Sequence, residues 1–258
     1  MSETNAIGPA HVVAELGLAI DVVGDELHGT AAVQPEMFVP GTTCLRISIL
    51  AAWADHAAGL VAAQAVAPRV GVTLDLDVHL YRQPCGLHAV KVIARPLKIG
   101  HAVTVIGVEL VAGDGDPVGL GTASFVPAPD AQLTLPPLAE SLAAARTRTA
   151  RLTMPFAQRA RCERLEAGVA LILVSPEATN ASKTLNGGLL ALVVEEAHLS
   201  AVSGNTLASL AMRYLRPVRV GPAVAHAEVR AGLGRVEVRD AGSEDRLAVT
   251  ATTRAFDG

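Results

Sequence analysis

One stretch in the second half of the chain limits the possible fold more than any other, because it is apolar around its whole circumference. Leu189–Ser203 follows a glycine pair, Gly187-Gly188, and consists mainly of Leu, Val and Ala. A helix that is apolar on every side is buried rather than exposed at a surface. We therefore predict a central helix around which the rest of a domain is wrapped.

This helix nevertheless carries a carboxylate on its apolar surface. Glu195 shares a face with Leu192, three residues before it, and with Leu199, four residues after it. A buried carboxylate has to be paired, hydrogen-bonded or functional. Two interpretations follow: Glu195 is a structural group paired with His198 or Arg46, or it takes part in chemistry.

The composition excludes several classes of function. With 50% hydrophobic residues, the 258-residue chain can bury a large core, as one large domain or as two smaller ones. Only 3% of the residues are aromatic, so Val, Leu, Ala and Ile must build that core. The net charge of −4 comes without a basic patch, which argues against a nucleic-acid partner.

Cysteine, histidine and apolar-run patterns exclude further classes. Cys44, Cys85 and Cys162 are too few and too scattered for a disulfide framework or a cysteine-based zinc site. The eight histidines include no His-x-x-x-His pair, so we expect no metal site. No apolar run reaches the roughly 18 residues of a membrane span. Met1–Ala10 has neither a basic region nor an apolar signal core, so we expect a cytoplasmic protein.

The first half of the chain predicts a hairpin, a long helix and four strands. Apolar residues recur at helical spacing after Thr42 and Thr43, either of which could cap the helix, and they alternate in the strands. Strand breaks are expected at Pro96–Gly100 and Gly113–Pro117. The predicted elements are the strands Leu16–Val23 and Glu26–Val33, the helix Cys44–Ala65, and the strands Gly71–Tyr81, His88–Arg95, Ala102–Val111 and Val118–Val126.

The second half predicts a similar order after a linker. Pro127–Pro137 is rich in proline, and Leu138–Arg148 could form a short polar helix. We therefore predict repeats at residues 1–127 and 159–258, with a linker at 128–158. The later elements are the strand Arg161–Ser175, the helix Leu185–Val202, and the strands Leu207–Leu215, Ala223–Ala231, Gly234–Arg239 and Arg246–Phe256.

Direct alignment of the two predicted helices supports a duplication. An offset of 140 residues sets Leu50 against Leu190 and, more tellingly, Asp55 against Glu195. Because Ala- and Leu-rich helices agree by chance, the duplication depends on the order of the elements together with that acidic pair.

A helix wrapped by an antiparallel sheet, in the order hairpin, helix and four strands, resembles the hot-dog fold, and the second half of the chain follows a similar order. This resemblance implies an α+β fold with two hot-dog repeats in one chain, each a long central helix wrapped by an antiparallel sheet, forming a pseudo-dimer. The spacing is similar to that in acyl-CoA thioesterases of the phenylacetate-pathway and 4-hydroxybenzoyl-CoA branch, where Asn, five residues and His-Gly-Gly precede an acidic residue. Here Asn180, Asn186-Gly187-Gly188 and Glu195 stand at those positions, with Asn186 replacing the His.

The first repeat keeps less of that pattern. It has the carboxylate, Asp55, but Arg46-Ile47-Ser48 stands in place of His-Gly-Gly. The resemblance implies that the amides at the helix start bind a thioester oxygen and that a carboxylate activates the attack. Gly187 and Glu195 are eight residues apart, or roughly 12 Å along one helix, which is too far for both to reach one carbon atom.

A working site must therefore combine the helix start of one repeat with the carboxylate of the other. We predict one composite site from Asn180, Asn186 and Gly187 with Asp55, and another from Arg46, Ile47 and Ser48 with Glu195. Asp55 is the favoured catalytic carboxylate, with Gly187 as oxyanion donor and Asn180 orienting water or substrate. In the other site Arg46 could pair with Glu195 and block it. The predicted catalytic residues are Asp55, Gly187, Asn180 and Glu195, and the predicted substrate-contacting residues are Asn186, Gly188, Arg46, Ile47, Ser48 and Gly59.

The resemblance implies an acyl-CoA thioesterase that needs no cofactor, binds acyl-CoA along the line between the helices and forms a homo-oligomer. Two alternatives stay open: a non-catalytic acyl-CoA-binding protein, because Asn186 replaces the His, and an enoyl-CoA hydratase of the same fold. Purely structural interpretations of these residues also stay open: Gly187-Gly188 could serve close helix packing, and Asn180 and Asn186 could be turn and capping residues.

Overall fold

The computed structural model of the protein describes residues 11–67, 70–128, 139–140, 142–143, 151–180, 182–202 and 206–256. The helices and strands within these residues are β1 (Ala19–Val23), β2 (Glu26–Ala32), α1 (Ile47–Val66), β3 (Gly71–Leu80), β4 (Ala89–Ile99), β5 (Thr104–Ala112), β6 (Pro117–Pro127), α2 (Phe156–Arg159), β7 (Cys162–Glu166), β8 (Val169–Ile172), α3 (Gly187–Ala201), β9 (Leu207–Tyr214), β10 (Ala223–Arg230), β11 (Leu233–Asp240) and β12 (Arg246–Ala255).

The strands form one antiparallel sheet whose order repeats itself. The order is β1-β2-β4-β5-β6-β3-β9-β12-β11-β10-β8-β7. From either end of the sheet towards its middle, the order is the same: the two strands of a hairpin, then the last three strands of that repeat, then the strand that follows its central helix. The two repeats meet where β3 pairs with β9, and we call this junction, together with the facing helices, the seam. The prediction of two hot-dog repeats in one chain is confirmed.

The two central helices, α1 and α3, run antiparallel and pack against each other at the seam. A Cβ atom added to Gly188 would lie 2.5 Å from the Cβ of Ala52, closer than two carbon atoms can approach. Only glycine at this position therefore allows the helices to come so near. This contact sets the start of α3 beside the middle of α1.

Three element boundaries differ from the predictions. Helix α1 begins at Ile47 rather than Cys44, and Thr42 is not its cap, since the Thr42 hydroxyl donates to the Val39 carbonyl inside a turn. Strand β4 continues through Pro96, because a register shift there removes the need for a ladder hydrogen bond from proline. The single strand predicted at Arg161–Ser175 is two strands, β7 and β8.

The linker prediction falls largely outside the described residues. This holds for most of Pro127–Pro137 and of the predicted helix Leu138–Arg148. At the end of the predicted linker, α2 buries Phe156 in the core, and Arg159 forms ion pairs with Glu15 and Glu177. The domain boundaries at 127 and 159 stay predictions.

One expectation from a simple sequence pattern, that of the scattered cysteines, needs correction. Cys44 and Cys85 form a disulfide across 41 residues of sequence, because Cys44, just before α1, pairs with Cys85, just after β3. Helix α1, among the described residues, is also long and apolar enough to span a membrane by length and composition. It is the core helix of the first repeat, enclosed by the sheet, and core helices pass the same test.

Candidate active site

The carboxylate of Asp55 lies over the first residue of the helix from the other repeat. Asp55 is in the middle of α1, and Gly187 is the first residue of α3. A Cβ atom built on Gly187 would be 3.0 Å from Asp55 Oδ2. The structure thus brings together the two groups that cannot meet within one helix. A side chain on residue 187 would fill the space between them.

The Asp55 carboxyl is half-buried and only weakly supported by neighbours. The Thr73 hydroxyl donates to Asp55 Oδ1 at 3.1 Å. Burial raises the pKa of Asp55 to about 6, and the hydrogen bond from Thr73 partly opposes this rise. Among the described residues, no cationic side chain pairs with Asp55. Above pH 6 the group is therefore an unpaired carboxylate, suited to act as a nucleophile or a base.

The start of α3 keeps one amide free for a ligand. The Asn186 side chain caps the helix, its Oδ1 accepting from the Gly188 amide at 2.8 Å. The Gly187 amide donates to no group in the described part of the chain. An unsatisfied amide at a helix start, at the positive end of the helix dipole, is a ready-made site for a developing oxyanion.

Asn180 has a structural place in the loop before α3. Its side-chain oxygen accepts hydrogen bonds from the Ser182 amide at 2.9 Å and from the Thr184 hydroxyl at 3.1 Å. That oxygen is thus committed to the loop, and a role in orienting water stays a prediction. Gly59 lies one turn beyond Asp55 on α1, where an added Cβ would be 3.8 Å from the ring of Phe125. A substrate that contacts Gly59, as predicted, would therefore lie beside that ring.

Two groups at this site were not predicted from the sequence. Thr73 faces Asp55 because a register shift between Thr73 and Asp75 reverses the alternation of β3, so that Val72 and Leu74 are exposed instead of buried. No residue in the strand marks this bulge. Tyr214, at the end of β9, comes from the other repeat.

Tyr214 places its hydroxyl beside both Gly187 and Asp55. The hydroxyl donates to the Gly187 carbonyl at 3.3 Å and lies 3.2 Å from the position of a Gly187 Cβ. Burial raises the pKa of Tyr214 well above its usual value, and the charge of Asp55 raises it further. The phenol therefore stays protonated and keeps a hydrogen to donate. Tyr214 reaches this site because β9 pairs with β3, and no pattern in the sequence predicts that pairing.

The second composite site is closed by its own residues. Glu195 is fully buried, and its Oε1 accepts from the Ile47 amide at 3.1 Å. Its Oε2 accepts from Ser48 Oγ at 2.5 Å and from Arg46 Nη1 at 3.1 Å. Arg46 also pairs with Glu196 at 2.6 Å. These contacts use both carboxylate oxygens and leave no approach for a substrate.

This cluster gives Glu195 the structural role that was one of the two open interpretations. Burial raises the pKa of Glu195, and the positive charge of Arg46 opposes the rise. His198 is not its partner, since the ring bonds with Thr253 Oγ1 at 2.7 Å. The predicted pairing of Arg46 with Glu195 is present, and the geometry offers no support for Glu195 as a catalytic residue.

The carboxylate side chains of the two sites differ in length by one methylene group. Ile47 and Gly187 are the first residues of the two helices, and Glu195 and Asp55 occupy equivalent positions eight residues later. The longer side chain of Glu195 reaches the Ile47 amide and hydrogen-bonds with it. The shorter side chain of Asp55 forms no such bond with Gly187. The seam therefore holds one closed site and one open one.

Comparisons with known proteins bear on the family of the first repeat and on the fold. Residues 48–118, which include Asp55 and Thr73, match the family model of the thioesterase superfamily. None of the curated proteins matches the sequence.

Solved structures share the architecture at low sequence identity. A 12:0-ACP thioesterase from Umbellularia californica is 13% identical, with a TM-score of 0.64 over 91% of this chain and 98% of its own. An acyl-ACP thioesterase from Bacteroides thetaiotaomicron is 12% identical, with a TM-score of 0.61 over 90% and 98%. A hot-dog protein of unknown function from Alicyclobacillus acidocaldarius is 16% identical, with a TM-score of 0.56 over 97% and 100%. These similarities show the hot-dog fold.

Proposed function

We propose that the protein hydrolyses acyl thioesters, with acyl-CoA as substrate, at the open site of the seam. The observation that carries this proposal is the placement of the Asp55 carboxylate over the free amide of Gly187. Nucleophile and oxyanion donor are the two groups that thioester hydrolysis requires. The match of residues 48–118 to the thioesterase superfamily supports the same reaction class.

The chemistry follows from the two groups. The thioester oxygen accepts a hydrogen bond from the Gly187 amide, which polarises the carbonyl. Asp55, ionised above pH 6, either attacks the carbonyl carbon directly or removes a proton from the attacking water. Thr73 holds one carboxylate oxygen so that the other faces Gly187. In direct attack the carbon–sulfur bond breaks, the thiolate leaves and a mixed anhydride forms on Asp55, which water then hydrolyses. In general-base attack the water oxygen bonds to the carbonyl carbon, the carbon–sulfur bond breaks, and the proton taken up by Asp55 passes to the departing thiolate or to solvent. Either route consumes one water and yields the carboxylic acid and the thiol.

The space beyond Asp55 supports a compact aliphatic or aromatic acyl group. Gly59, one turn beyond Asp55 on α1, has no side chain, and the buried ring of Phe125 lies 3.8 Å from where its Cβ would be. The spacing of Asn180, Gly187 and Gly188 supports a place near the phenylacetate and 4-hydroxybenzoyl-CoA branch of thioesterases. A cytoplasmic location and a homo-oligomer of this pseudo-dimeric chain belong to the same proposal, and light scattering of the purified protein measures the oligomer.

The test is thiol release from short, medium, long and aromatic acyl-CoAs, measured for the wild type, Asp55→Asn and Glu195→Gln. We expect activity in the wild type, a loss of at least about 10²-fold in Asp55→Asn, and retention in folded Glu195→Gln. A loss in Glu195→Gln alone would move the reaction to the other site. Absence of thiol from every substrate would refute hydrolysis, and calorimetric titration with acyl-CoA would then test the binding alternative.

A further inference from the structure

Tyr214 has no assigned role in the reaction described so far, yet its hydroxyl lies at the reacting groups. It is 3.2 Å from the same point beside Gly187 that lies 3.0 Å from Asp55 Oδ2. A thioester carbonyl that approaches the Gly187 amide would therefore meet the tyrosine hydroxyl and the carboxylate together. Three elements, α1, α3 and β9, converge on this small volume.

The present contacts of the hydroxyl are weak enough to exchange for a substrate. It donates to the Gly187 carbonyl at 3.3 Å and approaches the sulfur of Met212 at 3.7 Å. A carbonyl at a helix start already accepts a bond within the helix, so a long second contact is easily given up. The proton on the Tyr214 oxygen is therefore available to a better acceptor.

The closed site lacks this hydroxyl. When Leu215-Arg216 is aligned with Tyr81-Arg82, Tyr214 falls opposite Leu80. Leu80 lies in β3, the strand that follows α1, just as Tyr214 lies in β9, the strand that follows α3. A polar group in β9 thus accompanies the open carboxylate, and an apolar one stands in the equivalent place of β3.

We propose that the Tyr214 hydroxyl is a catalytic residue that donates a second hydrogen bond to the oxyanion, alongside the Gly187 amide. This inference rests on the proposed thioester hydrolysis and deepens it. Tyr214 itself transfers no proton: the phenol keeps its hydrogen while negative charge develops on the thioester oxygen, and the thiolate departs without a proton from the phenol. Because the phenol is held protonated by burial and by the neighbouring carboxylate, it remains a donor throughout the working pH range.

The test is Tyr214→Phe, which removes the hydroxyl and keeps the ring. Tyr81→Phe is the matched control, since Tyr81 is the only other tyrosine and is 63% exposed. We expect kcat of Tyr214→Phe to fall by about 10²-fold, as for loss of one oxyanion donor, with KM changed less than about threefold. The thiolates of aryl thioesters leave more readily than that of CoA. Because a donor to the oxyanion does not act on the departing sulfur, the fall in kcat should be equal for CoA thioesters and for aryl thioesters.

Two outcomes would overturn the proposal. Kinetics of Tyr214→Phe equal to those of Tyr81→Phe would show that the hydroxyl is not used. A loss confined to CoA thioesters would place the hydroxyl at the departing sulfur rather than at the oxyanion. Hydrolysis by the wild type is measured in the same series, so failure of this inference is distinct from failure of the proposed function.

An ultraviolet titration tests the contact with Asp55 independently of activity. In Tyr81→Phe, Tyr214 is the sole tyrosine, and its phenolate absorbance reports one pKa. Adding Asp55→Asn removes a negative charge that disfavours the phenolate, so the pKa of Tyr214 should fall towards its usual value. An unchanged pKa would contradict the juxtaposition on which the assignment depends.

Discussion

Replacing Asp55 by Glu adds one methylene group to the carboxylate that lies over Gly187. In the other site a glutamate at the equivalent position reaches the first amide of the opposing helix at 3.1 Å. Asp55→Glu should therefore form the same bond with the Gly187 amide and close the open site. The charge is kept, so a substitution that is usually regarded as conservative is expected to abolish activity.

The magnitudes follow from the contacts. The new hydrogen bond from a helix-start amide to a carboxylate is worth about 1 kcal/mol. For a chain of this size that raises Tm by about 2–4 °C. Meanwhile the oxyanion donor is occupied, and kcat should fall at least about 10²-fold, as when a donor is removed. A gain in stability accompanied by a loss of catalysis is the expected signature.

Differential scanning calorimetry and thiol release measure the two effects on the same preparation. Glu195→Asp is the matched control: the shortened side chain gives up the Ile47 amide, so Tm should fall while hydrolysis at Asp55 continues. Asp55→Glu with more than about a tenth of wild-type activity would refute the reasoning, as would a lowered Tm, which would mean that the site has no room for the longer side chain.

Three further predictions concern ionisation, packing and the closed site. Activity should decline as pH falls through about 6, where Asp55 takes up a proton. Because the folded pKa of Asp55 lies above its unfolded pKa, this group makes the wild type less stable as pH rises from about 4 to about 6, and calorimetry of Asp55→Asn should show a smaller drop over that range, the remainder coming from groups such as Glu195 whose pKa is also raised. Gly188→Ala would set a methyl group 2.5 Å from Ala52, so urea unfolding should show a loss of about 1–3 kcal/mol. Arg46→Met would leave Glu195 buried without its cation, which should cost about 3–5 kcal/mol in the same assay, while the variant that still folds should hydrolyse thioesters at the wild-type rate.

The pairing of groups across the repeats could be predicted because it follows from helix geometry. A rise of about 1.5 Å per residue separates Gly187 from Glu195 too widely for one substrate atom, so the partner had to come from the other helix. The pairing of Arg46 with Glu195 could also be predicted, since Arg46 stands where the resemblance expects the His of His-Gly-Gly and a buried carboxylate needs a partner. Element order followed from the periodicity of apolar residues.

The remaining features depend on contacts between distant parts of the chain. Thr73 reaches Asp55 through a bulge that depends on the match of β3 to β6, and Tyr214 arrives through pairing of β9 with β3. The disulfide of Cys44 with Cys85 likewise needs two loops to meet. Local sequence patterns do not reveal contacts between residues far apart in the chain. The carboxylate and the oxyanion donor could therefore be predicted, but the hydroxyl groups of Thr73 and Tyr214 could not.

The sealed Glu195 site has a consequence for how the protein can change. In a symmetric dimer of identical chains, each substitution alters both active sites at once, so neither can be sacrificed. Here the two sites are encoded by different codons. In the Glu195 site, Arg46 forms ion pairs with Glu195 and Glu196 that link the two repeats. The other has a carboxylate whose burial raises its pKa, and because both repeats lie in one chain, a substitution can change one site without changing the other.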